Sequence, residues 1–239
     1  MQSKGFFITG TDTGIGKTWS TVALMQAYKD IGMNVAGMKP VASGCEESEG
    51  RLKNEDALLI QSRCSAEYPY EIVNPYAFRE PVAPHIAAEK VAATIEIKNI
   101  VKAYNFLCEQ NDIVFVEGVG GWRVPLSGDL SICDMVVALE IPVVLVVGLR
   151  LGCINHALLT NQVIHSDNIP LAGWIVNSID RDYAEPEKTI ETLEQHISAP
   201  LLGRLPCLTA CDTGILGKNI NTDILIKNGN NRADETAIP

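Results

Sequence analysis

The sequence predicts an α/β protein built on a doubly wound, mainly parallel sheet flanked by helices. Short apolar runs recur along the chain, a segment with helical spacing follows each, and four of the runs are apolar almost without a break. A half-solvated strand alternates apolar and polar side chains, whereas a strand covered by helices on both faces does not. Regular alternation of such strands with helices is the pattern of a doubly wound fold.

The elements follow in chain order. Residues 5–9 read as the first strand and 17–30 as a helix with Val22, Met25 and Ala27 facing inward. Strands are expected at 34–38, 112–116, 142–147, 171–176 and 201–205, with helices at 95–110, 154–165 and 187–197. Residues 39–93 are long and loop-rich for a compact domain, and long loops of that kind usually bind something. No repeat, low-complexity tract or Gly/Ser linker interrupts the pattern, so a single domain is expected over 1–226. The polar residues 227–239 are expected to be a disordered tail.

Lys and Arg number 19 against 29 Asp and Glu, a formal charge of −10. That balance argues against DNA, RNA or an anionic membrane as the main partner, since those surfaces reward basic patches. With 46% hydrophobic and 20% charged residues the composition is globular,. Cysteines stand at 45, 64, 108, 133, 153, 207 and 211, an odd number without a Cys-x-x-Cys. They read as small buried hydrophobes in a reducing cytosol rather than a disulfide framework or zinc site. The apolar run before Gly10 is too short for a signal-peptide core. The most apolar stretch, 135–149, is broken by Glu140 and Pro142, well short of a membrane span. A cytoplasmic protein is expected.

The first strand runs straight into Gly10-Thr-Asp-Thr-Gly-Ile-Gly16-Lys17-Thr18, and a helix follows. Strand, Gly-rich loop and helix in that order make a P-loop, so the fold is expected to be P-loop NTPase-like. Backbone N–H groups and the helix N-terminus hold phosphates, Lys17 reaches the β and γ phosphates, and Thr18 ligates Mg²⁺. The motif is a variant, because Thr11 stands where the strict pattern has its first Gly.

A P-loop enzyme also needs a carboxylate at the end of a neighbouring strand, and Glu117 closes the run at 112–116. Asp56 reads either as a second acid for the metal or as an ordinary residue near a helix N-terminus. Lys39 ends the second strand before Pro40, which favours extended backbone. It reads either as a cation for a transferring phosphoryl group or as a solvated strand-end lysine. Gly152, Cys153 and Asn155 open a later helix. They read as a carboxylate seat made of backbone N–H groups, or as simple capping by Asn155.

Together these segments resemble the dethiobiotin synthetase family. The resemblance is carried by Gly10-Thr-Asp-Thr13 with Gly16-Lys17-Thr18, Lys39-Pro-Val-Ala-Ser43-Gly44 and Asn54-Glu-Asp56-Ala57. It continues through Val73-Asn-Pro-Tyr76 with Pro84-His85, Val116-Glu-Gly-Val-Gly-Gly-Trp122 and Leu151-Gly-Cys-Ile-Asn-His-Ala157. Ala172-Gly-Trp-Ile-Val-Asn177 and Pro200-Leu-Leu-Gly203 with Pro206 complete it.

The resemblance implies ATP-dependent closure of a ureido ring on 7,8-diaminopelargonate and CO₂, with ATP and Mg²⁺ as cofactors. Lys39, Lys17 and Thr13 would act on the reacting groups, with Ser43 helping to hold the substrate. Thr18, Asp56 and Glu117 would surround the metal. The nucleotide would contact Gly14, Ile15, Gly16, Lys17, Thr18 and Trp19, and also Gly118, Val119 and Gly120. Asn177 and Ser178, with Pro206, Cys207 and Leu208, would receive the adenine. Gly152, Cys153 and Asn155 would bind the substrate carboxylate across a homodimer interface. The competing resemblance is to switch ATPases of the partitioning and septum-site type. Those carry a second lysine at the position of Thr11, which this chain lacks.

Overall fold

A computed structural model describes residues 5–225. The expected tail at 227–239 lies outside the described residues. Six strands form the central sheet: β1 (Gly5–Gly10), β2 (Val35–Met38), β3 (Ile113–Glu117), β4 (Val143–Gly148), β5 (Leu171–Asn177) and β6 (Leu201–Leu205). Their order is β6-β5-β4-β1-β3-β2, and every neighbouring pair is parallel. The sheet therefore reverses its winding beside β1, which opens a crevice at the carboxyl ends of the strands.

Residues β2, β3 and β4 are buried along their whole length. Alternation survives only as a choice between two apolar faces. On β4, Val144 and Val146 join the larger core, whereas Leu145 and Val147 pack with Trp174 and Val176 in a second one. This is why the strands read as uninterrupted apolar runs.

The helices are α1 (Lys17–Asp30), α2 (Glu55–Gln61), α3 (Tyr70–Val73), α4 (Pro84–Lys90), α5 (Ile97–Gln110), α6 (Ile132–Leu139), α7 (Cys153–Ser166), α8 (Pro186–His196) and α9 (Thr213–Gly217). Helix α5 buries Ile100, Ala103, Tyr104 and Leu107, a single stripe at helical spacing. Helix α1 is buried on most sides, from Thr21 and Val22 to Leu24, Met25 and Tyr28. No helix among the described residues is long and apolar enough to cross a membrane.

Three expectations are corrected. The stretch 39–93 holds α2, α3 and α4, a two-residue parallel pairing of 41–42 with 76–77, and the hairpin Glu46–Ser48/Arg51–Lys53. Each element is too short for a periodic signal, and local caps define them instead, such as the Asn54 side chain on the N–H of Ala57 and Pro84 in the first turn of α4,. Asn155 does not cap α7: the N-cap is Gly152, at φ 90°, and Asn155 lies within the first turn. Only Cys45 and Cys153 of the seven free cysteines are buried, the others being partly exposed.

Phe115 is fully buried, stacks on Phe6 at 6.2 Å between ring centroids and meets Tyr28 edge-on at 5.4 Å. Phe115→Ala is expected to cost about 3–5 kcal/mol, from the lost transfer energy and the cavity left behind. Denaturant unfolding followed by circular dichroism measures this, and a loss under about 1 kcal/mol would contradict the packing described.

Candidate active site

The phosphate loop is fixed from both sides. Gly16 caps α1 at φ 84°, and a Cβ there would lie 1.7 Å from Asn177 Nδ2. Only glycine meets both constraints. Asn177, the last residue of β5, donates through Nδ2 to the Ile15 carbonyl at 3.0 Å and pins the loop from across the sheet. Among the described residues no acceptor is placed on the N–H groups of Gly14, Ile15, Gly16, Lys17 or Thr18. Such a row of free donors at a helix N-terminus is a seat for an anion.

Beside the loop lies a buried charge cluster. Lys39 follows β2 and Glu117 ends β3, and because these strands are neighbours the two side chains meet. Lys39 Nζ donates to Glu117 Oε1 at 2.7 Å and to Asp56 Oδ2 at 2.6 Å. Thr18 Oγ1 donates to Glu117 Oε1 at 2.9 Å and Thr21 Oγ1 to Oε2 at 3.1 Å. Asn54 caps α2 and thereby sets Asp56 in its first turn. Asn74 holds the Lys39 carbonyl from the other side at 2.6 Å.

Burial opposes the charge on Lys39, yet Glu117 and Asp56 hold its ammonium above the usual lysine range. Burial would likewise raise the Asp56 carboxyl, but Lys39 holds it below the ordinary range. Lys17 has no such partner in direct contact: its Nζ donates to the Asp12 carbonyl at 2.7 Å. Burial, with Lys39 nearby and Glu117 only partly compensating, pushes it down to about 8.

Thr18 Oγ1, Asp56 and Glu117 form a set of hard oxygen donors, the kind Mg²⁺ takes. The two carboxylates already share one positive charge, the Lys39 ammonium, and Thr18 Oγ1 donates to the Glu117 oxygen that does so. The residues fit a divalent cation.

A cavity of about 810 Å³ opens over the loop and the cluster. Of the sequence-predicted residues, Thr13, Gly14, Gly16, Lys17, Thr18 and Trp19 line it, together with Lys39, Ser43, Asp56, Glu117, Val119 and Gly120. Asn177, Ser178, Cys207 and Leu208 form its far wall. Ile15, Gly118 and Pro206 are not on the wall: Ile15 is buried in the core, and the Gly118 N–H is taken by Ile8 O.

Gly152, Cys153 and Asn155 also lie off this cavity. The N–H of Cys153 is not free, since it donates to Arg150 O at 3.0 Å. Among the described residues no backbone acceptor is placed on the N–H groups of Gly152, Ile154 or Asn155. The sequence reading assigned no site role to Asn54 or Pro84, named only within motifs, and did not single out Pro81, Val82, Ala83, Val124 or Ile179. Asn54 was open to detection as an Asx residue just before an acidic helix turn; the others carry no chemical signature.

Sheet order, loop and strand-end acid define a P-loop nucleotide-binding protein, and a family model described as an AAA domain matches residues 4–213. In fold the chain is similar to the MinD cell division protein of Aquifex aeolicus, with TM-score 0.53 and 15% identity over 99% of each chain. It is similar to the same degree to a ParA family ATPase from Chlorobium tepidum, TM-score 0.53 and 14% identity over 97% of this chain and 98% of that one. At such identities the likeness is of fold alone.

Sequence similarity is more specific. The chain is 47% identical over 212 residues to the ATP-dependent dethiobiotin synthetase BioD of Xanthomonas axonopodis pv. citri, covering 89% of this chain and 95% of that one. The BioD of Pseudomonas aeruginosa is 46% identical over 85% of this chain and 90% of its own. The chain belongs to the dethiobiotin synthetase family.

Lys17 is expected to set a pH dependence for phosphate binding. A bound phosphate favours its charged form, so binding above pH 8 must take up a proton that is already present below it,. Affinity for a non-hydrolysable ATP analogue is expected to be flat below pH 8 and to fall up to about tenfold per pH unit above it,. Isothermal titration in buffers of different ionisation enthalpy reads the proton uptake; a flat profile to pH 9.5 would remove Lys17 from phosphate binding.

Proposed function

We propose that this chain closes the ureido ring of dethiobiotin, converting 7,8-diaminopelargonate, CO₂ and ATP to dethiobiotin, ADP and phosphate. The observation that carries the reading is Lys39, a buried ammonium on the cavity wall beside the phosphate loop, its charged form favoured by Glu117 and Asp56. The 47% identity to a named dethiobiotin synthetase points the same way.

One amine of the substrate adds to CO₂ and loses a proton, giving a carbamate. A carbamate oxygen attacks the γ-phosphorus as the bond to ADP breaks, giving a carbamic–phosphoric anhydride. The second amine then attacks the carbonyl carbon, phosphate leaves, and a five-membered cyclic urea remains. The carbamate is itself the nucleophile, so the protein's part is positioning and charge neutralisation. Lys17 and Lys39 flank the reacting carbamate and phosphoryl oxygens in this reading, and Thr13 hydrogen-bonds to them. Ser43 offers a buried hydroxyl with no partner among the described residues, on the cavity wall, to hold the substrate.

Thr18, Asp56 and Glu117 would hold Mg²⁺, which when bound supplies charge neutralisation at the phosphates. Asn177 spends Nδ2 on Ile15 and leaves Oδ1 for the exocyclic amine of adenine, with Ser178, Cys207 and Leu208 beside the ring. Free backbone donors at the start of α7 would take the substrate carboxylate in the site of a second subunit. Leu151 in that turn, 93% exposed, and Leu159 further along α7, 53% exposed, support a homodimer through α7. Unpaired cysteines support a cytoplasmic setting,.

The test is phosphate release from MgATP and bicarbonate with and without 7,8-diaminopelargonate. Release is expected only with the diamine; diamine-independent turnover, or none, would sink the reading. Lys39→Ala is expected to keep nucleotide affinity within a few-fold and to lose at least about 100-fold in kcat. Leu151→Glu is expected to shift the protein towards monomer in sedimentation velocity and to raise KM for the diamine.

A further inference from the structure

The ion pair of Asp12 with Arg150 lies outside every role given above. Each oxygen of Asp12 beyond the peptide N–H is engaged: Oδ1 accepts from the N–H of Thr13 at 2.7 Å, the carbonyl from Lys17 Nζ at 2.7 Å, and Oδ2 from the Arg150 guanidinium. The N–H of Thr13 is the main force holding the Asp12 carboxyl below its ordinary range; slight burial opposes it and Arg150 adds to it. Arg150 is itself engaged twice. Its side chain holds Asp12, and its carbonyl accepts the N–H of Cys153 at 3.0 Å, closing the turn on which α7 begins. One residue therefore ties the first half of the phosphate loop to the start of α7, across 138 positions of sequence.

Both side chains are partly exposed, 48% for Asp12 and 39% for Arg150. An exposed pair contributes little to global stability. Its effect is local, on residues that must be placed to within an ångström.

We propose that Asp12 and Arg150 are a positioning pair, keeping Thr13 and Lys17 in register with the turn that opens α7. The inference rests on the ring-closing reading, in which Thr13 and Lys17 face the reacting groups. There the α7 turn serves the carboxylate of the substrate in a second subunit, so the pair links the phosphate loop of one site to the carboxylate seat of the other. Misplacement by about 1 Å at such contacts costs roughly 100-fold in rate, which sets the scale.

The experiment is steady-state kinetics of the full chain as wild type, Asp12→Asn, Arg150→Gln, Arg150→Lys and the Asp12→Asn/Arg150→Gln double variant. Each neutralising variant is expected to lower kcat/KM for the diamine by about 10–100-fold. The double variant should be no worse than the weaker single, because both remove one contact. Arg150→Lys should recover part of the loss, while Tm moves by no more than about 3 °C. Wild-type turnover in Arg150→Gln, losses that multiply in the double variant, or activity that falls only in step with Tm would overturn the pair. A wild type without diamine-dependent phosphate release would overturn the ring-closing reading as well, and that shows before any variant is compared.

Discussion

The burial of one carboxylate, that of Glu117, is the constraint on which the rest of the molecule depends. It has no exposed surface, and an unpaired carboxylate in such a place costs several kcal/mol. Its two oxygens are satisfied by Lys39, Thr18 and Thr21. Those partners come from the residue after β2 and the first two turns of α1, so the charge is stable only if β2 lies against β3 and α1 runs over their carboxyl ends. The sheet order that brings β3 between β1 and β2 meets that demand. Fold and site share one electrostatic requirement.

The same logic extends across the sheet. Helix α1 begins where Gly16 adopts a left-handed backbone, and the space beside it is filled by Asn177 from β5. The loop is thus held by a hydrogen bond to Ile15 on one side and by the Glu117 cluster on the other. A loop so fixed leaves its N–H groups pointing at nothing else, the preorganisation an anion site needs.

How much of this was legible depended on how far along the chain the determining contacts reached. The strands of the central sheet were readable because burial on both faces leaves an unbroken apolar run, as in β4. Lys17, Thr18 and Glu117 were readable because a strand end next to a Gly-rich loop or an acid is a local signal. Lys39 and Asp56 were ambiguous: sequence gives the end of a strand and the start of a helix, but not that the two side chains meet. Helices α2 to α4 were hidden by their shortness. Thr21, Asn74 and the pair of Asp12 with Arg150 were out of reach altogether, since each is defined by a partner more than 30 positions away. Asn155 misled because an Asx residue near a helix start mimics a cap, whereas Gly152 at positive φ starts the helix without one.

The overall charge of −10 says little about a site that handles anions, because the local sum is what an incoming phosphate meets. Lys17 and Lys39 balance Asp56 and Glu117, so the floor of the cavity is near neutral. A nucleotide carrying about four negative charges cannot enter on that balance through the lysines alone, since Lys39 is committed to its two acids. The free N–H groups of the loop, and a divalent cation if the same acids held one, would supply the missing positive field. Lys39 is anchored by the same two acids that would hold such a cation, so the two positive charges would share one pair of carboxylates.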